Sequence, residues 1–174
     1  MTVTYPCDFM LVAAMNPCKC GYYGSEEKKC ICSAQTLENY LNKISGPIMD
    51  RIDIQINVKS EKYSKITSNV KGETSASIRK RVEFARKIQL ERYKELGISS
   101  NSELQDRFIE QYCKLDKSSK MLLEKAFEKF KLSTRAYTKI LKVARTIADL
   151  EDEKDIKIKH IAEAIQYRGL DRKR

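Results

Sequence analysis

The spacing of apolar residues changes near residue 73, and the change limits the fold more than any other feature of the chain. From Glu73 onward apolar side chains recur every three or four positions, the period of an amphipathic helix. Thr74 or Ser75 can cap a long helix running to about Leu96, where Gly97 stops it; Ile78, Val82, Ala85, Ile88, Gln89 and Tyr93 form its stripe. A shorter helix is expected over roughly 102–113. Asp116 then stands at an N-cap position ahead of Leu122, Leu123, Ala126, Phe127 and Phe130, and Ser133 caps a helix carrying Ala136, Ile140, Val143, Ala144, Ile147 and Leu150. A last helix, about 158–168, is apolar at Ile158, Ile161, Ala162 and Ile165. Only 3 prolines and 6 glycines interrupt 174 residues, so long elements are favoured over a loop-rich or all-β architecture.

Upstream the pattern differs. Residues 9–15 are continuously apolar and stop abruptly at Asn16-Pro17, which predicts a strand covered on both faces. A lone strand is not a stable fold, so the run suggests a piece of a larger sheet. Residues 34–44 place Leu37, Tyr40, Leu41 and Ile44 on one helical face; Ser45-Gly46-Pro47 breaks it, and residues 48–51 form a short helical turn. Ile52, Ile54, Ile56 and Val58 then alternate with Asp53, Gln55 and Asn57, predicting a second strand. The fold class expected is mainly α: an α/β fragment over 1–60, a polar linker over 61–72, and a helical bundle over 73–174.

Composition excludes several classes. Hydrophobic residues at 41% are too many for a disordered chain, and the longest apolar run is far short of the roughly 20 residues of a spanning helix. No export signal is recognised, so a cytoplasmic location and no membrane partner are expected. The net charge of +10 is uneven, with 9 Lys and Arg against 7 Asp and Glu before residue 73 and 25 against 17 from there on. Such an excess suits a polyanionic partner such as nucleic acid, or is an ordinary solvated basic surface.

The sharpest chemistry lies in residues 16–33. Cys18-x-Cys20 and Cys30-x-Cys32 put four thiols within 15 residues, and two close pairs of soft ligands suit a tetrahedral zinc site. Free thiols or redox pairing are the other reading, and Cys-x-Cys is tighter than the commoner Cys-x-x-Cys. Cys7 and Cys113 stand apart and read as buried hydrophobes. His160, the only histidine, reads as a packing or capping residue, and Tyr22 and Tyr23 as packing on the cysteine loop.

Four segments carry a family resemblance. Phe9-Met-Leu-Val-Ala-Ala-Met-Asn16-Pro-Cys-Lys-Cys-Gly21-Tyr-Tyr-Gly24 is followed by Ile44-Ser-Gly-Pro-Ile-Met-Asp-Arg51-Ile-Asp53. Then come Leu132-Ser-Thr-Arg135-Ala-Tyr-Thr-Lys-Ile-Leu-Lys-Val-Ala-Arg145-Thr-Ile-Ala-Asp-Leu150 and His160-Ile-Ala-Glu-Ala-Ile-Gln-Tyr-Arg168. In this order they resemble the C-terminal half of the YifB/ComM family, magnesium-chelatase-like ATPases of the AAA+ superfamily. The resemblance implies the end of an AAA+ α/β core followed by a helical lid, in a longer protein using ATP and Mg²⁺. No Gly-x-x-x-x-Gly-Lys-[Ser/Thr] loop occurs here, nor an apolar strand ending in paired acids, so this segment alone is expected not to hydrolyse ATP.

By the same resemblance Asn16 matches sensor 1, a polar group beyond a strand end that touches the γ-phosphate or the attacking water. Read without it, Asn16 caps the turn before Pro17. Arg51 matches the arginine finger, a guanidinium supplied to the neighbouring subunit's γ-phosphate; otherwise it pairs with Asp50 or Asp53 on the surface. Arg135 matches sensor 2, in the first turn of a capped helix where an anion is favoured, and is otherwise a solvated helix arginine. Arg145 reads as structural. The resemblance further implies a homo-oligomer, in the form of a hexameric ring, and DNA handling such as branch migration in natural transformation. Two other readings stay open: the ATPase subunit of a chelatase-type Mg²⁺ insertion system, and a non-catalytic, zinc-stabilised interaction module.

Overall fold

The structure, a computed structural model of the chain, describes residues 3–5, 7, 9–59, 61, 63, 67 and 72–168. The linker expected over 61–72 lies largely outside these described residues. The chain is mainly helical, with seven α-helices among the described residues, and divides into two compact units, Met1–Ile44 and Ser45–Arg174.

The first unit holds one helix, α1 (Ala34–Leu41), whose N-cap Ser33 accepts the Thr36 amide at 3.2 Å. The strand expected over residues 9–15 does not form: the run has no regular secondary structure, and Met10 and Val12 are 88% and 84% exposed. A continuously apolar strand needs neighbours on both faces, and no strand pairs with this one among the described residues. Cys7 is exposed rather than buried, for the same lack of packing around it. The one buried residue described in this unit is Cys18.

The second unit opens with α2 (Gly46–Arg51), which has Pro47 in its first turn, where a missing amide costs nothing. The expected second strand is absent, and its burial is inverted. Ile54, Ile56 and Val58 are exposed, whereas Gln55 is buried; it pairs with Arg168 in an isolated parallel bridge, its amide donating to the Tyr167 carbonyl at 2.7 Å. Alternation marks a segment able to pair, but one bridge does not make a ladder.

The bundle follows: α3 (Ser75–Arg92), α4 (Ile109–Tyr112), α5 (Lys117–Phe130), α6 (Thr134–Leu150) and α7 (Ile158–Gln166). Thr74, Asp116 and Ser133 cap α3, α5 and α6, accepting the amides of Ser77, Ser119 and Ala136. Gly97 takes a left-handed φ of 66° after a 3₁₀ turn, ending the first helical stretch as its position suggests. The stretch near 102–113 is only partly helical: 3₁₀ turns at Asn101–Glu103 and Asp106–Phe108 lead into the single turn of α4. Along α3 the apolar stripe is half used. Ala85 and Gln89 are buried, while Ile78 and Val82 stay open to solvent.

Helix α6 is the centre of the unit and packs against α2, α3, α4 and α7. Its Ile140, Leu141, Ala144 and Ile147 share one core with Ile161, Ala164 and Ile165 of α7, and Leu123 and Ala126 of α5 join it. Each large aliphatic side chain so covered contributes about 1.5–3 kcal/mol. A polar network lies beside this core. Asp149, fully buried, accepts from Arg92 at 2.8 and 2.5 Å, from Arg145 Nε at 3.0 Å and from Asn101 Nδ2 at 2.9 Å. Arg145 also donates to the carbonyls of Lys154 and Glu153, closing the loop after α6, so its role is structural, as its position on a later turn suggests.

Candidate functional site

The cysteine loop is shaped by two turns. The Gly21 amide donates to the Cys18 carbonyl and the Ser25 amide to the Tyr22 carbonyl, both at 3.0 Å; Gly21 and Gly24 take φ values of +84° and +79° that other residues resist. The first turn folds Cys20 back beside Cys18, and Cys30 and Cys32 return just ahead of the Ser33 cap. The Sγ atoms stand at 3.3 Å (Cys18–Cys20), 3.5 Å (Cys20–Cys30) and 3.7 Å (Cys18–Cys30), with all four ligand atoms within 4.8 Å of one another. A tetrahedral ion bound by four thiolates at about 2.3 Å sets sulfur–sulfur edges near ~3.8 Å. The set fits such an ion.

The surroundings of the sulfurs point the same way. Amides of Tyr22 and Ile31 directed at Cys20 bring its thiol down to about 6. Burial and the Cys20 thiol oppose ionisation of Cys18, yet the Tyr23 amide, the Cys30 thiol and the Cys20 amide bring it below the ordinary value. The Cys32 amide favours a thiolate at Cys30, but burial and the Cys20 and Cys18 sulfurs outweigh it and push Cys30 up to about 12. Cys32 is raised as well: the Cys20 amide favours its thiolate, but the Cys20 sulfur, burial and the Cys18 sulfur prevail. Four thiols this close do not all ionise by themselves; a divalent cation among them would remove the conflict. Beside the loop, Tyr22 packs on Lys28, whose ammonium lies 4.5 Å from the ring centroid.

Asn16 lies just ahead of this loop, exposed, with its backbone carbonyl accepting the Tyr40 hydroxyl at 3.2 Å. It does not stand at a strand end, because residues 9–15 form none.

Arg51 ends α2 and is exposed; its Nη1 donates to the Pro47 carbonyl at 2.8 Å. Neither acidic neighbour pairs with it. Asp50 faces Arg168 at 3.6 Å, and Asp53 is ion-paired with Lys139. Arg135 occupies the first turn of α6, exposed, with no ion pair among the described residues. His160 caps α7: its buried ring accepts the Lys157 amide at Nδ1 and meets Glu151 at Nε2. Cys113 is buried in the bundle core.

Asn16 belongs to the first unit and Arg51 and Arg135 to the second; what the fold brings together among the expected site residues is the cysteine quartet. Sequence reasoning missed Lys139 and Arg168, which hold the turn after Arg51. The Lys139 position, one helical turn beyond Arg135, was the available signal.

Comparison with known proteins places these features. Residues 1–66 match the family model described as magnesium chelatase, subunit ChlI, and residues 72–168 match magnesium chelatase, subunit ChlI C-terminal. The competence protein ComM of Haemophilus influenzae is 42% identical over 169 residues, which are 97% of this chain and 32% of that protein. The YifB proteins of Salmonella typhimurium and Escherichia coli are each 40% identical over 171 residues, 98% of this chain and 33% of theirs. The chain thus spans about a third of the length of the curated relatives it matches.

Proposed function

The chain belongs to the magnesium chelatase ChlI family, and on that footing we propose that it is the sensing and triggering portion of a ring-forming ATPase. Arg51 is the finger offered to the neighbouring subunit, Arg135 reads nucleotide from the lid, and Asn16 acts as sensor 1 beside a zinc-stabilised loop. The observation that carries this reading is the state of Arg51. It is exposed at the end of α2, its guanidinium hydrogen-bonded to the Pro47 carbonyl and ion-paired with neither Asp50, which stands 3.6 Å from Arg168, nor Asp53, which pairs with Lys139, so its charge is not neutralised by a surface pair.

Phosphoryl transfer spreads negative charge over the γ-phosphate oxygens, and a planar, permanently charged guanidinium stabilises that charge as it develops. A finger acting on a neighbour demands an oligomer; a closed ring, six-membered by the family resemblance, meets that demand. Arg135 lies at the start of a capped helix, where amides and the helix dipole favour an anion. ATP and Mg²⁺ are then the substrate and ion of the full-length protein.

Cys18, Cys20, Cys30 and Cys32 would hold Zn²⁺ as a structural ion. Among its described residues the first unit shows no apolar core, Cys18 being the one buried, and a tetrathiolate ion would supply the order that burial does not.

For the work driven by hydrolysis we propose DNA remodelling. Arg79, Lys80, Arg86 and Lys87 lie exposed along α3, a surface suited to phosphates, and the name of the Haemophilus relative places that protein in competence. The test is ATP hydrolysis by the full-length protein with and without branched DNA. Strong stimulation supports the motor; DNA-indifferent turnover moves the client to a chelatase-type or protein partner. Absence of turnover in the full-length protein leaves the zinc-stabilised interaction module.

A further inference from the structure

The finger turn is not held by a sheet. Residues 50–55 are fixed by two places in the helical bundle, the second turn of α6 and the end of α7. Lys139 of α6 donates to the Arg51 carbonyl at 2.8 Å and pairs with the Asp53 carboxylate. Arg168, just past α7 and 2% exposed, donates to the Ile52 carbonyl at 2.7 Å and faces Asp50. The Gln55 amide donates to the Tyr167 carbonyl at 2.7 Å. Two cations thus hold two consecutive backbone carbonyls; one of them also pairs with Asp53, and the other stands 3.6 Å from Asp50.

This arrangement has a consequence for charge as well as position. With Asp50 beside Arg168 and Asp53 paired with Lys139, the Arg51 guanidinium is ion-paired with neither carboxylate and is held on its own subunit by one hydrogen bond, to the Pro47 carbonyl. Lys139 also lies four residues after Arg135, on the same face of the same helix. One turn of α6 thus carries Arg135 at its start and, at Lys139, the ammonium that contacts the finger turn.

We infer that Lys139, assisted by Arg168, is a positioning residue that ties the finger turn carrying Arg51 to the lid helix carrying Arg135, so that the lid sets the finger's place. The inference rests on the reading of Arg51 as a finger. Lys139 touches no nucleotide in this scheme; it acts through Arg51 and its turn. Its loss should lower the rate of the chemical step and spare nucleotide affinity, because ground-state binding does not use the finger.

The test compares Arg51→Ala, Lys139→Met, Lys139→Arg and Asp53→Asn in the full-length protein, reading kcat, the KM for ATP and nucleotide Kd. Amide exchange over residues 50–55 is followed in parallel. Lys139→Met is expected to lower kcat by about 10²-fold, the scale of a roughly 1 Å misplacement of a catalytic group. KM and Kd should stay within about twofold, as they must when only a transition-state contact is lost. Exchange at Gln55 should quicken, and Lys139→Arg should restore most of the rate. Asp53→Asn removes the same ion pair from an exposed side chain and serves if Lys139→Met does not fold. Normal kcat in Lys139→Met and Asp53→Asn beside an inactive Arg51→Ala overturns the positioning role and leaves the finger standing. Normal turnover in Arg51→Ala removes the finger itself, and the inference with it. A raised KM or Kd in Lys139→Met, with kcat intact, also overturns it.

Discussion

Asp149→Ala should be among the most damaging single changes to the helical unit. The carboxylate is fully buried and is the counter-ion of two arginines. Its removal strands Arg145, whose side chain is 4% exposed, and Arg92, at 19%, and takes four hydrogen bonds from Arg92, Arg145 and Asn101. Breaking a buried ion pair from one side costs about 3–5 kcal/mol, because the remaining charge stays desolvated and unpaired. Against a total stability of about 5–15 kcal/mol, that is about a fifth of the whole or more. For a unit of this size the matching fall in Tm is about 10–20 °C. Urea and thermal unfolding followed by circular dichroism would measure it, with reductant and zinc held constant so that the cysteine loop does not contribute. Asp149→Asn keeps one acceptor oxygen and should cost less, and an Arg92→Ala/Asp149→Ala cycle should show a coupling above about 1 kcal/mol. A loss below about 1 kcal/mol for Asp149→Ala would refute the claim that this network holds α3, α6 and the loop after α6 together.

Four other outcomes follow from the geometry. The chain should bind a single zinc ion that Cys30→Ser with Cys32→Ser abolishes, as metal analysis would read, without lowering the melting temperature of the helical unit. Metal uptake at neutral pH should release at least two protons, because burial and the neighbouring sulfurs hold Cys30 and Cys32 protonated; calorimetry in buffers of different ionisation enthalpy would count them, and a release of fewer than two would contradict binding by four thiolates. Arg51→Ala in the full-length protein should cut turnover by about 10³-fold or more with nucleotide binding nearly intact, and lost binding with normal assembly would contradict the finger. Asp116 is held below the usual carboxylate range by the Ser119 amide, and the Ser118 hydroxyl adds to this. A depressed folded value means its stabilisation is present above the unfolded value of about 3.9 and is lost as pH falls through the folded one. The stability gap between wild type and Asp116→Ala should accordingly narrow on acidification below that point, and a gap that is constant with pH would deny the cap its charge.

What sequence alone determined is local. Side-chain oxygens at Thr74, Asp116 and Ser133 compete for amides only three residues away, so three helix starts could be placed from composition and spacing. The cysteine quartet was readable for the same reason: pairs two residues apart with turn-forming glycines beside them have few ways to arrange four sulfurs. Arg145 and Asp149 are four apart on α6, so their contact was available in the spacing; that Arg92, 57 residues earlier, completes the pair was not.

Tertiary structure decided the rest. An apolar run at 9–15 and an alternation at 52–58 describe surfaces fit to be covered, but a strand exists only where another backbone accepts its hydrogen bonds. Without such a partner the first run stays exposed, and in the second the polar Gln55, not Ile54 or Ile56, is the residue buried. The exposure of Arg51 is a fact of the same kind. Nothing near it in the chain says that Asp50 and Asp53 will be claimed by Arg168 and Lys139, because charges 86 residues or more apart meet only once α6 and α7 are packed.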